Sequence, residues 1–149
     1  MFLSTFIESL RLHPPLAFLS KTCTERHVLE STNPEYAPLK VTIEPDTPMI
    51  LPVMGLQLDP KYFPEPEKFI PERFSKDNSY SYVYLPFGVG PRACIGQRFG
   101  LLQIKIGLAQ LIKKFKISIN EKTPSQVDYL PFYFLLFPKG GIWLDFKKI

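Results

Sequence analysis

The chain has 149 residues, 45% of them hydrophobic, which is enough for one compact unit and too few for two. Charged residues make up 21% and the formal net charge is +4. This balance excludes an acidic disordered chain and does not indicate a nucleic-acid-binding domain.

Two features of the sequence bear on the cellular compartment. Cys23 and Cys94 are far apart and outside any disulfide-rich pattern, which favours a reducing compartment, although one bridge between them stays open. No apolar run reaches the roughly 18 residues that span a bilayer, and Glu8 and Arg11 stand where a signal peptide would be apolar. We therefore expect no membrane anchor within the chain.

The chain opens with a predicted helix over residues 1–12. Apolar residues recur there at helical spacing, and the double proline at residues 14–15 ends the run because proline cannot continue a helix. Glu8 and Arg11 lie three apart and share one face of this helix. Because no capping residue precedes the helix, we hypothesise that Met1 is an internal methionine or a product of truncation.

Residues 16–58 change to short β-like runs separated by proline and acidic turns, which predicts a small β region with strands at residues 39–43 and 49–53. Residues 59–86 follow as a wrapped loop. The first part of this loop is dense in Pro, Glu and aromatic residues, which indicates one or two helical turns.

Residues 97–115 predict a second helix that is apolar nearly all round. We expect such a helix to be buried on most of its circumference. Residues 116–149 contain two extended runs, 116–119 and 142–146, which predict terminal β segments.

A glycine-rich loop over residues 87–96 leads directly into this second helix. Two glycines precede Cys94 and one follows it, which permits turn conformations that a side chain would forbid and brings main-chain amides near the sulfur. The positive end of the helix dipole and nearby Arg92 favour a thiolate over a thiol. A stable thiolate at Cys94 is either a metal ligand or a nucleophile.

The cysteine loop resembles the haem-ligand signature of the cytochromes P-450, an aromatic residue followed by Gly, Arg, Cys and Gly at fixed spacing. The positions that match are Phe87, Gly90, Arg92, Cys94 and Gly96. The resemblance implies that Cys94 is the axial ligand of the iron in haem b. It implies further that Phe87 packs over the sulfur and that Arg92 pairs with a haem propionate. Other cofactor-binding positions implied by the resemblance are Gly88, Gly100, where the family usually has alanine, and Lys21, where many relatives carry an arginine. Lys21 is also consistent with a solvated lysine.

Two further motifs are similar to those of the same family and occur in the same order. Glu8 and Arg11 resemble its Glu-x-x-Arg motif, and residues 71–74 resemble its Pro-Glu-Arg-Phe box. The resemblance implies a buried charge network of Glu8, Arg11 and Arg73 that locks the cysteine loop. It also implies the C-terminal portion of the cytochrome P-450 fold, mainly α with small β-sheets.

Two segments resemble substrate-lining segments of the family, and both are equally consistent with core packing. They would line an apolar pocket, which implies a small lipophilic substrate. The residues concerned are Leu16, Ala17, Phe18 and Leu19 in the first segment, and Phe134 and Leu135 in the second.

The resemblance implies a monooxygenase that uses O2 and receives electrons from NADPH through a reductase. The spelling of residues 58–69 and 94–100 looks most like the microsomal group of insects and other animals, which implies the cytosolic face of the endoplasmic reticulum membrane and an anchor outside this chain. The family's oxygen-activating helix is not found in this sequence, so we assign no catalytic residue and expect this fragment alone to be inactive. The alternative is a truncated or pseudogene product that binds haem poorly or not at all.

Three other functions have weaker support. A zinc site would need four tetrahedral ligands, and only Cys23 and His27 have suitable spacing in the set of His13, Cys23, His27 and Cys94. A cysteine hydrolase would need a histidine beside Cys94; none neighbours it in the sequence, which leaves open only a histidine that the fold brings close. The lysines at residues 113, 114 and 116 form only a short cluster, which does not indicate nucleic-acid binding. Lys113, Lys114 and Lys116 are equally a solvated helix end or, as the family suggests, a docking surface for an acidic electron donor.

Overall fold

A computed structural model of the chain describes residues 2–36, 39–75, 80, 82–130 and 135–149. Both helices and short antiparallel strands occur along these residues, which bears out the prediction of a mixed α+β fold. The elements are α1 (Phe2–Leu12), β1 (Leu19–Thr22), β2 (His27–Glu30), β3 (Lys40–Ile43), β4 (Pro48–Leu51), α2 (Val53–Gln57), α3 (Gln97–Lys114), β5 (Phe115–Ile119) and β6 (Leu144–Lys148), with 3₁₀ turns at Pro34–Tyr36 and Pro71–Phe74.

Helix α1 ends where the double proline requires it to end. Its last helical hydrogen bond runs from the N–H of His13 to the main-chain oxygen of Ser9, at 2.8 Å. The buried face of α1 is polar, because Ser4, Glu8 and Arg11 lie on it at helical spacing and are all buried. A polar buried face requires partners from other parts of the chain, and these partners form the site described below.

Two antiparallel ribbons fill the predicted β region of residues 16–58. Strand β1 pairs with β4, with Leu19 opposite Leu51, and β2 pairs with β3, with His27 opposite Ile43. The short helix α2 follows β4 and was not predicted, because Pro52 and Gly55 in this segment indicate a turn rather than a helix.

Helix α3 covers nearly all of the predicted residues 97–115, but the prediction that it is buried is wrong. None of its residues is buried, and Phe99 is 70% exposed. Periodicity identifies the side chains that a helix can bury and carries no information about the surface that would cover them. The element beside α3 is β5, which continues directly from it and gives only local contact.

The terminal strands β5 and β6 pair antiparallel, with Ile117 opposite Phe146. The rings of Phe115 and Phe146 meet edge to face, with centroids 5.9 Å apart. These strands correspond to the two extended runs predicted in the tail, shifted by one or two residues. Within the described ranges no helix has both the length and the apolar content to cross a bilayer.

The core lies between α1, α2 and the wrapped loop. Phe63 is fully buried there, stacks on Tyr80 with centroids 4.8 Å apart, and lies 5.3 Å below the guanidinium carbon of Arg11. Val53 of α2 and Leu85, which precedes the cysteine loop, are also buried. The core is therefore small and is built around a charged group.

Candidate functional site

The carboxylate of Glu8 and the guanidinium of Arg11 form a two-point ion pair with no exposed side-chain surface. Arg11 donates from Nε to Oε2 and from Nη2 to Oε1 of Glu8, both at 2.8 Å. The remaining donors of Arg11 bind main-chain oxygens, with Nη1 donating to Gln57 at 2.8 Å and Nη2 to Lys68 at 3.0 Å. Arg11 thus ties α1 to α2 and to the wrapped loop.

Arg73, in the Pro71–Phe74 turn, is the third member of the charge network. Its Nε lies 3.4 Å from Oε1 of Glu8, and its Nη2 donates to the main-chain oxygen of Glu65 at 2.9 Å. The same oxygen of Glu8 accepts a hydrogen bond from the N–H of Ile70 at 3.0 Å. The structure therefore brings together all three residues that the resemblance placed in one network.

Gln57 belongs to the same cluster and was not identified from the sequence. Its side chain is fully buried at the end of α2. The side-chain Nε2 donates to the main-chain oxygens of Leu10 and Arg11, at 3.1 and 3.0 Å, and Oε1 accepts from the N–H of Leu85 at 3.0 Å. The available signal was a single polar residue between Leu56 and Leu58.

Tyr84 closes the cluster on the side of the cysteine loop. Its hydroxyl donates to the main-chain oxygen of Ile7 at 3.0 Å, and Phe74 packs against its ring with centroids 5.0 Å apart. Burial, and secondarily the negative charge of Glu8, raises the pKa of Tyr84 well above its ordinary value. The phenol therefore stays protonated and remains a donor.

The cysteine loop is held by a series of main-chain hydrogen bonds. Gly88 donates to Leu85 at 3.0 Å, and the N–H of Cys94 donates to the oxygen of Phe87 at 2.8 Å. Gly88 and Gly90 have φ values of 70° and 82°, which is the left-handed region that glycine adopts without strain. The loop thus depends on the two glycines that the sequence pattern placed before the cysteine.

Cys94 presents a free, exposed thiol three residues before the first residue of α3, with Gly96 at the N-cap position. The surface beside it is open, because a Cβ added at Gly100 would meet no heavy atom within 4 Å, and one added at Gly96 would lie 3.9 Å from Cys94 Sγ. The missing side chains at Gly96 and Gly100 leave this surface free for a flat group, and Cys94 Sγ is the one sulfur donor that residues 87–96 offer to a metal. Arg92 is exposed in the loop, and Lys21 is half-buried in β1.

The two predicted substrate-lining segments come together in part, because residues adjoining both of them line one cavity. An apolar cavity of about 500 Å³ has Leu135 in its wall, together with residues that flank α1 and the tail. The N–H of Leu136 donates to the oxygen of Pro15 at 2.9 Å, which joins the tail to the end of α1. Leu19 lies elsewhere, against Gly88 of the cysteine loop. Phe134 lies outside the described residues. Leu16 and Ala17 are half-buried, and Phe18 is exposed.

His13 and Tyr129 share a hydrogen bond at the edge of this cavity, between Nδ1 and the hydroxyl. Desolvation, and secondarily the positive charge of Arg11, lowers the pKa of His13. Burial raises the pKa of Tyr129. The pair is therefore a neutral imidazole and a neutral phenol that join α1 to the tail.

The described residues give no support for a disulfide between Cys23 and Cys94 or for a zinc site. Both are free thiols, and Cys23 is buried, with its Sγ 2.9 Å from the main-chain oxygen of Glu25. Among the residues that the structure describes, which include all four proposed zinc ligands, no three His, Cys, Asp or Glu side chains are close enough to share a metal ion.

Comparison with known proteins gives a consistent result. Residues 3–144 match the family described as Cytochrome P450. The chain is 41% identical over 143 residues to "Probable cytochrome P450 6g2" of Drosophila melanogaster, which covers 93% of this chain and 27% of that protein. It is 42% identical over 144 residues to "Cytochrome P450 9e2" of Blattella germanica, covering 95% of this chain and 26% of that protein. The chain therefore spans about a quarter of the length of the curated relatives it matches.

Proposed function

The chain belongs to the cytochrome P450 family, and we propose on this basis that Cys94 is the axial thiolate ligand of the iron in haem b. The observation that carries the proposal is the geometry of residues 87–96. A free, exposed thiol stands at the start of α3, in a loop closed by the hydrogen bond from Cys94 N–H to the oxygen of Phe87. Haem supplies the activation of molecular oxygen, and a thiolate ligand donates electron density that favours O–O cleavage.

The residues around Cys94 have separate parts in this proposal. Gly88 and Gly90 give the loop its conformation, and Gly96 and Gly100 leave space beside the sulfur. The other cofactor-binding roles are assigned by the family resemblance: Phe87 would pack beside the sulfur, Arg92 would pair with a propionate through its planar guanidinium, and Lys21 would offer a propionate a point charge.

The network of Glu8, Arg11 and Arg73 fixes the position of this loop relative to α1. Arg11 reaches Gln57, and Gln57 reaches Leu85, which lies two residues before Phe87. Because each of these contacts is buried, the loop is fixed to α1 in addition to its covalent connection to α3. In this proposal the network holds the Cys94 sulfur in place before the cofactor binds.

For the complete protein we propose a monooxygenase of the microsomal insect type, of which this chain is the C-terminal part. It would insert one oxygen atom of O2 into a small lipophilic substrate, with electrons from NADPH through a reductase, at the cytosolic face of the endoplasmic reticulum membrane. This chain alone would be inactive, because no oxygen-activating acid–threonine pair is identified in it. The substrate-binding pocket would be lined by Leu16, Ala17, Phe18, Leu19, Phe134 and Leu135.

The test is the absorption spectrum of the reduced protein under carbon monoxide. It is recorded for the complete protein that contains this sequence. Thiolate-ligated haem gives a characteristic red-shifted band. We expect this band in the wild type and in Cys23→Ala, the matched control at the second cysteine, and we expect its loss in Cys94→Ser.

Two outcomes would overturn parts of this proposal. A colourless wild type, or a red-shifted band that survives in Cys94→Ser, would show that Cys94 does not ligate haem. NADPH-dependent oxidation by the 149-residue chain alone would show that the chain is not an inactive fragment.

A further inference from the structure

The amide of Gln57 joins two segments that are far apart in the sequence. It is fully buried, and it binds the end of α1 through Nε2 and the segment before the cysteine loop through Oε1. Its own main-chain oxygen accepts a hydrogen bond from Nη1 of Arg11. Gln57 is thus connected to the charge network and to the loop at the same time.

Both hydrogens of Nε2 are used on groups that would otherwise lack a helical partner. The oxygens of Leu10 and Arg11 lie in the last turn of α1, which ends at Leu12. The last four carbonyls of an α-helix have no partner within the helix, so a buried helix end requires donors from elsewhere. Gln57 supplies two such donors, and this fixes which way its amide faces.

The acceptor side of the same amide leads to Cys94 by three short steps. Oε1 of Gln57 accepts from Leu85 N–H, and the oxygen of Leu85 accepts from Gly88 N–H. The oxygen of Phe87 then accepts from Cys94 N–H. Leu85 is itself buried, so no solvent replaces a lost hydrogen bond at its N–H.

We propose that Gln57 is a positioning residue, which sets the place of the cysteine loop relative to the Glu8–Arg11 pair. The consequence for the cofactor rests on the proposed function of Cys94, whereas the positioning of Leu85 does not.

The chemistry of the contact requires an amide of this length. A glutamate would present a carboxylate to two carbonyl oxygens, and an asparagine is one methylene too short to keep both ends. A methionine has similar volume but no polar group able to replace these hydrogen bonds, and it would leave two oxygens and one N–H buried without them. Gln57→Met therefore removes the hydrogen bonds while it keeps the packing.

The first experiment measures hydrogen exchange of the Leu85 amide in this chain. We expect exchange in Gln57→Met to be at least about tenfold faster than in the wild type, which corresponds to about 1.4 kcal/mol. Amides of the β5–β6 ribbon should exchange at the wild-type rate. Gln110→Met, at an exposed position of α3, is the matched control and should leave Leu85 unchanged.

A second variant decides the question if Gln57→Met fails to fold. A neutral histidine carries one donor and one acceptor, so Gln57→His can still bridge α1 and Leu85. Protection of Leu85 well above that of a fully exposed amide would support the proposal. Equal loss of protection at all amides would overturn it, because the role of Gln57 would then be general packing. Wild-type protection of Leu85 in a folded Gln57→Met would also overturn it.

The last measurement separates this inference from the proposed function. In the haem-loaded polypeptide, Gln57→Met should move part of the carbon monoxide band away from the thiolate position at unchanged haem content, and Gln110→Met should not. If the band stays wholly at the thiolate position in Gln57→Met, the link from Gln57 to the thiolate is wrong. A wild type without a thiolate band defeats the proposed function alone, because the exchange of Leu85 still tests the position of the loop.

Discussion

Arg11 approaches Glu8 side-on, with both hydrogen bonds at 2.8 Å and neither side chain exposed to solvent. The ion pairs outside the Glu8, Arg11 and Arg73 network, among the residues that the structure describes, are different in kind. Lys40 and Glu30, for example, meet across β2 and β3 with side chains 67% and 61% exposed. Exposed pairs contribute little to stability, whereas removing one partner of a buried pair leaves an uncompensated charge. The buried pair is therefore where substitutions should have large effects.

Glu8→Gln should destabilise the chain by about 3–5 kcal/mol, because Arg11 and Arg73 would share a buried site without a negative charge. Urea unfolding followed by circular dichroism measures the change. The matched control is Glu30→Gln in the exposed pair, for which we expect about 0–1 kcal/mol. Equal losses in the two variants would mean that the network does not stabilise the fold.

Arg11→Lys should cost about 1.5–3 kcal/mol although it keeps the positive charge, because an ammonium cannot replace four donors held in one plane. The two oxygens of Glu8 and the main-chain oxygens of Gln57 and Lys68 compete for its three hydrogens. Arg26→Lys, in the exposed pair with Glu44, is the control and should change little. A neutral result for Arg11→Lys would show that charge alone, without geometry, is sufficient.

Stability should fall as the pH drops below about 6.5, in part because of His13, whose ordinary pKa is 6.5 and whose pKa in the folded chain is lower. Between the two values the unfolded chain binds more protons, so acid favours unfolding until the pH passes below the folded pKa. The measurement is the free energy of unfolding against pH in His27→Gln, which leaves His13 as the chain's one histidine. Adding His13→Gln should flatten the profile in this window, and an unchanged slope would contradict the prediction.

Two glycine-to-alanine substitutions should have opposite signs. A side chain at either Gly90 or Gly107 would meet no heavy atom within 4 Å, so sterics with neighbours do not decide the outcome. Gly90 has a φ of 82°, so Gly90→Ala should cost about 1–2 kcal/mol. Gly107 lies within α3, so Gly107→Ala should stabilise the helix by up to about 1 kcal/mol. The measurement is the unfolding midpoint, which should be lower than the wild-type value in Gly90→Ala and higher in Gly107→Ala. Two midpoints on the same side of the wild-type value would contradict the prediction.

The residues of the charge network could be identified from the sequence because they belong to short motifs with fixed spacing. The end of α1 was also predictable, since the two prolines allow no other outcome. The loop conformation followed from Gly88 and Gly90, whose φ values are those that glycine tolerates. In each case residues that are close together in the sequence determine the local structure.

Gln57 and the surroundings of α3 could not be predicted for the opposite reason. The three partners of the Gln57 side chain come from residues 28 to 47 positions away, and no local pattern records such a contact. The apolar side chains of α3 indicate that it can be covered, but the covering surface is a property of other residues. Helix α2 was missed because it is one turn long and contains a glycine.

The β5–β6 ribbon has two strands in the described part of the chain, so each of them lies at a sheet edge. Open edges are templates on which strands of other molecules can add. Here Lys116 faces Lys147 across the ribbon, and Lys148 stands beside Phe115. The like charges weaken the ribbon slightly, but they also repel an identical ribbon, so these lysines protect the tail against fibril-like stacking of one copy on the next.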